Sequence, residues 1–328
     1  VRLRRSKCDG PGVRRVRRGR GFAYVDESGD RVDDPAVLDR VRELVIPPAW
    51  QDVWICPHPN GHIQAVGTDD AGRRQYLYHE RWRSQRDEQK HERVLALARR
   101  LPKIRTRIHD DLVRPGLSRE RVIAGALRIL DRGVFRVGGE EYAEDSRGVA
   151  TLLRSHVRVR RDELAFHFPA KGGIDREAVI RDAELADLVR ALRRGKADGD
   201  RLFAHDGHVI RAEEVNERFK QFAGERFTVK DMRTWTATVL AAAEYAAREQ
   251  PPSKTAARRL DAEVMRAVAE QLGNTPTVAR QSYVDPRVVE AFHSGRSIEA
   301  ALRRIRGKPE EEIREPLERA VIRLLKSS

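Results

Sequence analysis

The stretch Gln271-Leu-Gly-Asn-Thr-Pro-Thr-Val-Ala-Arg-Gln-Ser-Tyr283 holds two groups that could do chemistry, an amide at Asn274 and a phenol at Tyr283. A phenol is a weak acid with a pKa near 10, and adjacent cations favour the ionised form that acts as a nucleophile. Gly273 stands where a glycine ends a helix, Thr275 can cap the next helix, and Pro276 occupies that helix's first position. Asn274 is thereby held in a tight corner between helices. Tyr283 follows Pro276 by about two turns, roughly 10 Å along the axis. The sequence has no Gly-x4-Gly-Lys-Ser/Thr loop, no Gly-x-Gly-x-x-Gly after a strand and no His-Glu-x-x-His. Nucleotide hydrolysis, hydride transfer and zinc-hydroxide chemistry therefore lack their residues.

The elements that must position this stretch are legible from periodicity. Asp34 and Pro35 open a helix whose Val37, Leu38, Val41, Leu44 and Val45 repeat at helical spacing until Pro47-Pro48. Phe22–Val25 and the segment around Arg31 flank a short turn. Three strand-like runs follow, 52–56, 62–67 and 73–79, joined by turns rich in Pro, Asn, Asp and Gly. On the last run Arg74, Tyr76 and Tyr78 share one face, because side chains alternate along a strand. Beyond the polar stretch 83–92 helical periodicity prevails, and Ser118 caps a helix with a stripe from Val122 to Leu130. It is interrupted by strands near 152–153, 157–159 and 164–168, with Lys171-Gly172-Gly173 at the tip of a turn.

Composition sets the class of partner. Lys and Arg exceed Asp and Glu by 65 to 51 over 328 residues, a formal +14, which favours a polyanion. Residues 1–20 hold nine basic residues against Asp9 alone, so a basic arm carries +8 and the remaining chain +6. Two cysteines, Cys8 and Cys56, cannot form a disulfide framework, and no apolar run is long enough to span a bilayer. A reducing, cytoplasmic compartment with no membrane association is expected. Cys56, His58 and His62 lie close together, but the intervening Pro57, Pro59, Asn60 and Gly61 read as a hairpin turn, so no metal site is assigned.

Gly-Asn-Thr-Pro followed by Tyr283 resembles the C-terminal end of the small bacterial and poxviral type IB DNA topoisomerases. Other motifs of that family occur upstream in the same order. Lys230-Asp-Met-Arg-Thr-Trp235 resembles its Lys-Asp-Leu-Arg-Thr box, and Phe135-Arg-Val-Gly138 with Tyr142 resembles its first arginine segment. Phe168-Pro-Ala-Lys-Gly172 resembles its lysine hairpin, and Arg74-Gln-Tyr-Leu-Tyr78 resembles the strand it lays in the major groove. The resemblance implies Tyr283, Arg136, Lys171, Arg233 and Asn274 as catalytic residues. It implies Arg74, Gln75, Tyr76, Tyr78, Tyr142 and Lys230 as DNA contacts. Taken singly, each is an ordinary surface or packing residue; their joint order decides the reading. The chain departs from the family in two places. Asn274 stands where many relatives have His, so only the neutral hydrogen-bonding role transfers, and Gly139 stands where viral members have Lys.

The implied residue types suit phosphodiester transfer. Attack adds negative charge to the nonbridging oxygens, and Arg136 and Arg233 can bind those oxygens bidentately. Lys171 can protonate the departing sugar oxygen, which a guanidinium essentially cannot. The covalent 3′-phosphotyrosyl ester conserves the bond energy, so neither ATP nor metal nor any other cofactor is expected. Two rival readings stand beside this one. A tyrosine recombinase typically has His where this chain has Lys230, and a helical rather than β-rich N-terminal half; a noncatalytic chromosome-binding protein would form no covalent adduct. The predicted fold is α+β: a basic arm (1–20), a small antiparallel β-sheet domain (21–82), a linker (83–92), and a mainly α-helical catalytic domain with a β-hairpin (93–328). As a monomer these parts would close as a clamp on double-stranded DNA of the nucleoid.

Overall fold

The computed structural model describes residues 2–132, 135–142, 146–170 and 174–327, and the chain divides into two compact units, Val1–Lys90 and His91–Ser328. The first unit is a five-stranded antiparallel sheet with one packed helix. Its strands are β1 (Val13–Arg18), β2 (Gly21–Val25), β3 (Gln51–Ile55), β4 (Ile63–Thr68) and β5 (Arg74–Tyr78), in the order β2-β1-β3-β4-β5. Helix α1 (Pro35–Glu43) starts at Asp34, whose carboxylate accepts from the Ala36 N–H, and ends before Pro47.

Register decides which side chains share a face, because directly paired residues of an antiparallel sheet point the same way. Val13, Ile55, Ala65 and Leu77 are paired in turn across the sheet and pack with Val41 of α1 in one small core. The alternate row, Arg14, Trp54, Val66 and Tyr76, lies on the opposite face.

Two sequence expectations change here. The basic arm expected over 1–20 contains a strand: β1 pairs with both β2 and β3, and Arg15 lies over the Phe22 ring and donates to the carbonyls of Ile46, Pro47 and Trp50. Charge had hidden a strand that needs only Val13 and an aliphatic arginine stem to pack. The division between the two units falls within the stretch 83–92, but those residues are helical, part of α2 (Glu80–Ala98); a polar run without Gly or Pro, rich in Arg, Gln, Glu and Lys, is a solvated helix as readily as a loop. Phe22–Val25 takes β1 as its main partner, and the turn after it closes through a single Val25–Arg31 bridge.

The second unit is mainly helical. Helices α3 (Leu101–Leu112) and α4 (Arg119–Asp131) precede a three-stranded sheet of β6 (Val157–Arg160), β7 (Glu163–Ala170) and β8 (Ile174–Arg181). Residues 152–153 form no strand, since Leu153 makes only an isolated bridge to Arg201. Helix α5 (Ala183–Arg193), the two-residue strands β9 (Ala204–His205) and β10 (His208–Val209), and α6 (Ala212–Ala223) follow. Helices α7 (Val229–Ala246), α8 (Lys254–Leu272), α9 (Pro276–Val278), α10 (Pro286–His293), α11 (Glu299–Ile305) and α12 (Glu310–Lys326) complete the chain. Ser118 caps α4 by accepting from the Arg121 N–H, and α4 and α7 run through the middle of one large apolar core. Asp131, at the end of α4, is buried between Arg105 of α3 and Arg314 of α12. Among the described residues no helix is long and apolar enough to cross a membrane.

Candidate active site

The site is built on the end of α8. Gly273 takes the left-handed conformation at φ +63°, its N–H bonds to the Glu270 carbonyl, and the Asn274 N–H reaches back to the Ala269 carbonyl at 2.9 Å. This is a Schellman closure, and it leaves carbonyls at the helix end available to side chains. Three arginines take them. Arg176 of β8 donates to the Glu270 carbonyl at 2.8 Å and to that of Gln271. Arg233 of α7 donates to the Leu272 carbonyl, and Arg136 to the Gly273 carbonyl at 3.4 Å and to the Asn274 side-chain oxygen. The negative end of the helix dipole favours cations at this place.

Each guanidinium arrives on an element with its own local reason. Helix α7 starts at Thr228 with a capping box to Asp231, which Arg93 also holds at 2.9 Å. Two residues on, Arg233 is buried, and it also donates to the Phe135 carbonyl at 3.2 Å. Phe135 stacks on Phe168 and meets Phe166 edge-on, both from β7, which anchors Arg136 beside it. The main chain around Arg136 is pinned by Val149 N–H to the Arg136 carbonyl and Ala150 N–H to the Val137 carbonyl, both 2.8 Å. Gly138 and Gly148 approach so closely there that a Cβ on either would collide with the other's backbone.

Tyr283 reaches the same place by an irregular helix. Thr275 accepts from the Val278 N–H and Pro276 opens α9. Residues Ala279–Tyr283 then form a π-turn, with the Val284 N–H bonded to the Ala279 carbonyl at 2.9 Å, an irregularity common at functional sites. The half-buried Tyr283 ring has its centroid 5.5 Å from the Arg233 guanidinium carbon. Burial draws Arg233 down to about 10, Arg136 and Arg176 push the same way, and Tyr283 opposes them by charge and by hydrogen bonding. Arg233 thus stays protonated at neutral pH.

Of the residues expected to converge, the structure brings Arg136, Arg233, Asn274 and Tyr283 together. Lys171 lies outside the described residues; β7 and β8 remain paired up to Ala170 and Ile174 on either side of it. Lys230 is exposed in the first turn of α7, while Tyr142 ends a short turn and its side chain is likewise outside the description. In the first unit Arg74, Tyr76 and Tyr78 form one exposed face, with the tyrosine rings stacked at 6.1 Å and the Arg74 guanidinium 5.8 Å from the Tyr76 ring. Gln75 points the other way, half-buried, and donates to Asp69 at 2.9 Å. Of Cys56, His58 and His62, His62 is taken up by a main-chain hydrogen bond, its Nδ1 accepting from the Ser6 N–H at 2.9 Å.

Two residues escaped the sequence reading. Arg176 is one of fifty-five arginines, on a strand whose polar residues give it no distinguishing signal. Thr238 lies five residues after Arg233, and its hydroxyl donates to the Tyr283 carbonyl at 3.3 Å or the Thr234 carbonyl at 3.0 Å and accepts from the Asp285 N–H at 3.2 Å.

Two donors at the site lack partners: Asn274 Nδ2 and Arg176 Nε are buried without a hydrogen bond. Among the described residues no carboxylate pairs with Arg136 or Arg176. A phenol beside clustered guanidiniums with spare donors defines a site for an anion and a nucleophile, which is the constellation of a phosphodiester-transfer enzyme. Comparison with known proteins places it further. Residues 79–307 match the family model of the eukaryotic DNA topoisomerase I catalytic core, and residues 21–69 that of the bacterial DNA topoisomerase IB N-terminal domain. The chain is 28% identical to DNA topoisomerase 1B of Acanthamoeba polyphaga mimivirus over 297 residues, covering 86% of this chain and 88% of that one. It is 21% identical to DNA topoisomerase 1B of Vaccinia virus (strain Copenhagen) over 229 residues, 69% of this chain and 71% of the relative. The chain belongs to the type IB DNA topoisomerase family.

Proposed function

We propose that this protein relaxes supercoiled duplex DNA by breaking one strand at Tyr283 and resealing it. The observation that best supports this is the placement of the Tyr283 phenol against Arg233, at a helix end where Arg136 and Arg176 are held by main-chain oxygens. The phenol gives up its proton and its oxygen bonds to phosphorus while the bond from phosphorus to the 5′ oxygen breaks. Lys171 donates the proton that oxygen needs, leaving a 3′-phosphotyrosyl ester and a free 5′ hydroxyl. Arg136 and Arg233 receive the charge on the nonbridging oxygens, and Asn274 Nδ2 adds a neutral donor. Religation runs the same transfers in reverse, so no nucleotide is consumed.

In this reading a monomer suffices. The two units act as halves of a clamp on the duplex, with Arg74, Tyr76 and Tyr78 along one side, Gln75 beside them, and Lys230 and Tyr142 touching the backbone near the scissile phosphate.

The test is plasmid relaxation with SDS trapping. The wild-type protein relaxes supercoils without ATP and leaves a DNA 3′ end linked to the peptide containing Tyr283. Tyr283→Phe abolishes both; relaxation that survives the change overturns the assignment. Lys171→Ala slows strand cleavage more than it weakens DNA binding, and equal loss of the two would refute its acid role.

A further inference from the structure

The segment 2–12 lies outside the matched family models, and the structure gives it a place. The Arg4 N–H bonds to the Asn60 carbonyl and the Arg4 carbonyl accepts from His62, each at 2.9 Å, so the segment docks on the turn before β4. Ser6 fastens it: its hydroxyl donates to the Ile63 carbonyl at 2.8 Å and accepts from the Ile63 N–H at 3.2 Å, and its own N–H donates to His62. Further along, Trp54 Nε1 donates to the Gly10 carbonyl at 3.1 Å, and Cys8 packs on Trp54, Cys56 and Val66. Gly61 is required beneath the segment, because a Cβ there would meet Cys56 Sγ at 2.4 Å and Ser6 Oγ at 2.7 Å.

Trp54 and Val66 belong to the sheet row that continues into Tyr76. The segment therefore covers the face of the sheet opposite α1, the same face that carries Arg74, Tyr76 and Tyr78. Burial raises the Cys8 thiol above its ordinary range, and the charge of Arg74 opposes that rise. Exposure alternates along it: Arg5 and Lys7 are exposed where Ser6 and Cys8 are half-buried, and Arg4 is exposed as well. Among the described residues no carboxylate pairs with Arg4, Arg5, Lys7, Arg14 or Arg74.

We infer that residues 2–8, docked on the sheet by Ser6, extend the tyrosine face into one surface for duplex DNA, with Arg4, Arg5 and Lys7 contacting backbone phosphates beside the groove that Tyr76 and Tyr78 face. The inference rests on the DNA-acting reading above. A docked strip of cations differs from a loose arm, because its charges are delivered in register with the aromatic strand and need no ordering on binding.

The test is duplex affinity as a function of salt, measured on the full chain. Replacing Arg4, Arg5 and Lys7 together by Gln weakens binding roughly tenfold or more and flattens the log Kd against log salt slope by about 0.9 for each phosphate that is no longer neutralised. Arg42→Gln, on α1 and thus on the other side of the sheet, leaves the slope in place. Ser6→Ala keeps every charge but loosens the dock, and weakens binding severalfold. An unchanged slope in the triple variant, an equal effect per charge from Arg42→Gln, or full affinity in Ser6→Ala each overturns the inference. The covalent adduct of the wild-type protein is read in parallel. If it fails to form, the enzymatic reading is at fault; if it forms and the slope does not move, only the docked surface is refuted.

Discussion

Thr238 anchors the turn after Tyr283: its hydroxyl accepts from the Asp285 N–H at 3.2 Å and donates to the Tyr283 carbonyl at 3.3 Å or to the Thr234 carbonyl at 3.0 Å. The same helix supplies Arg233, five residues earlier, so one rigid element sets both the guanidinium and the backbone that carries the phenol. Helix α7 thus carries both the guanidinium that faces the Tyr283 ring and a hydroxyl that ties down the chain just beyond it.

Thr238→Val, which keeps shape and removes the hydroxyl, leaves the Asp285 N–H unsatisfied in a buried place at a cost of about 1–3 kcal/mol. Single-turnover cleavage falls about tenfold while DNA affinity is retained, and Thr238→Ser restores the rate. A variant with a lowered melting temperature but wild-type cleavage would show Thr238 to be structural only.

Arg176 is expected to act with the phosphate rather than only close the helix. Arg176→Gln lowers the cleavage rate by roughly ten- to a hundredfold, in the range seen when one charge-stabilising donor is removed, and Arg176→Lys recovers part of it. If the side chain merely caps α8, melting temperature falls and the rate of the folded fraction does not.

Gly273→Ala is strained twice, by φ +63° and by a Cβ that would sit 2.9 Å from Arg176 Nη1. The left-handed conformation alone costs about 1–2 kcal/mol. Cleavage suffers more than stability does, because both Arg176 and Asn274 are displaced; calorimetry and rapid-quench cleavage on one sample decide it.

Asp131 links acid stability to the helical unit. Arg314 and Arg105 hold its carboxyl below the ordinary carboxylate range despite complete burial. A depressed carboxylate contributes stability above its unfolded pKa, near 4, and loses it as pH falls toward the folded value. Asp131→Asn therefore lowers stability at neutral pH by about 3–5 kcal/mol and flattens the dependence of melting temperature on pH below about 4. A parallel acid limb in variant and parent would refute the linkage.

The corner at Gly273-Asn274-Thr275-Pro276 is readable from sequence because each residue has a local backbone reason to be there, and those reasons survive folding. The same holds for the caps at Asp34 and Ser118. Arg176 is not readable, since its significance comes from a helix end nearly a hundred residues away and nothing near it in the chain marks it. Strand β1 is obscured by charge, and α2 by polarity, because composition speaks for neither where strand pairing and helix propensity decide. The π-turn before Tyr283 is equally silent, as its residues would also fit an ordinary helix.

The arginines at the end of α8 have peptide oxygens as partners where many proteins would have placed aspartate or glutamate. A carboxylate scaffold neutralises what it holds, and an arriving phosphate must first pull the pair apart. Peptide dipoles orient a cation and leave its charge available, so a phosphate entering the site meets Arg136 and Arg176 without an ion pair having first to break.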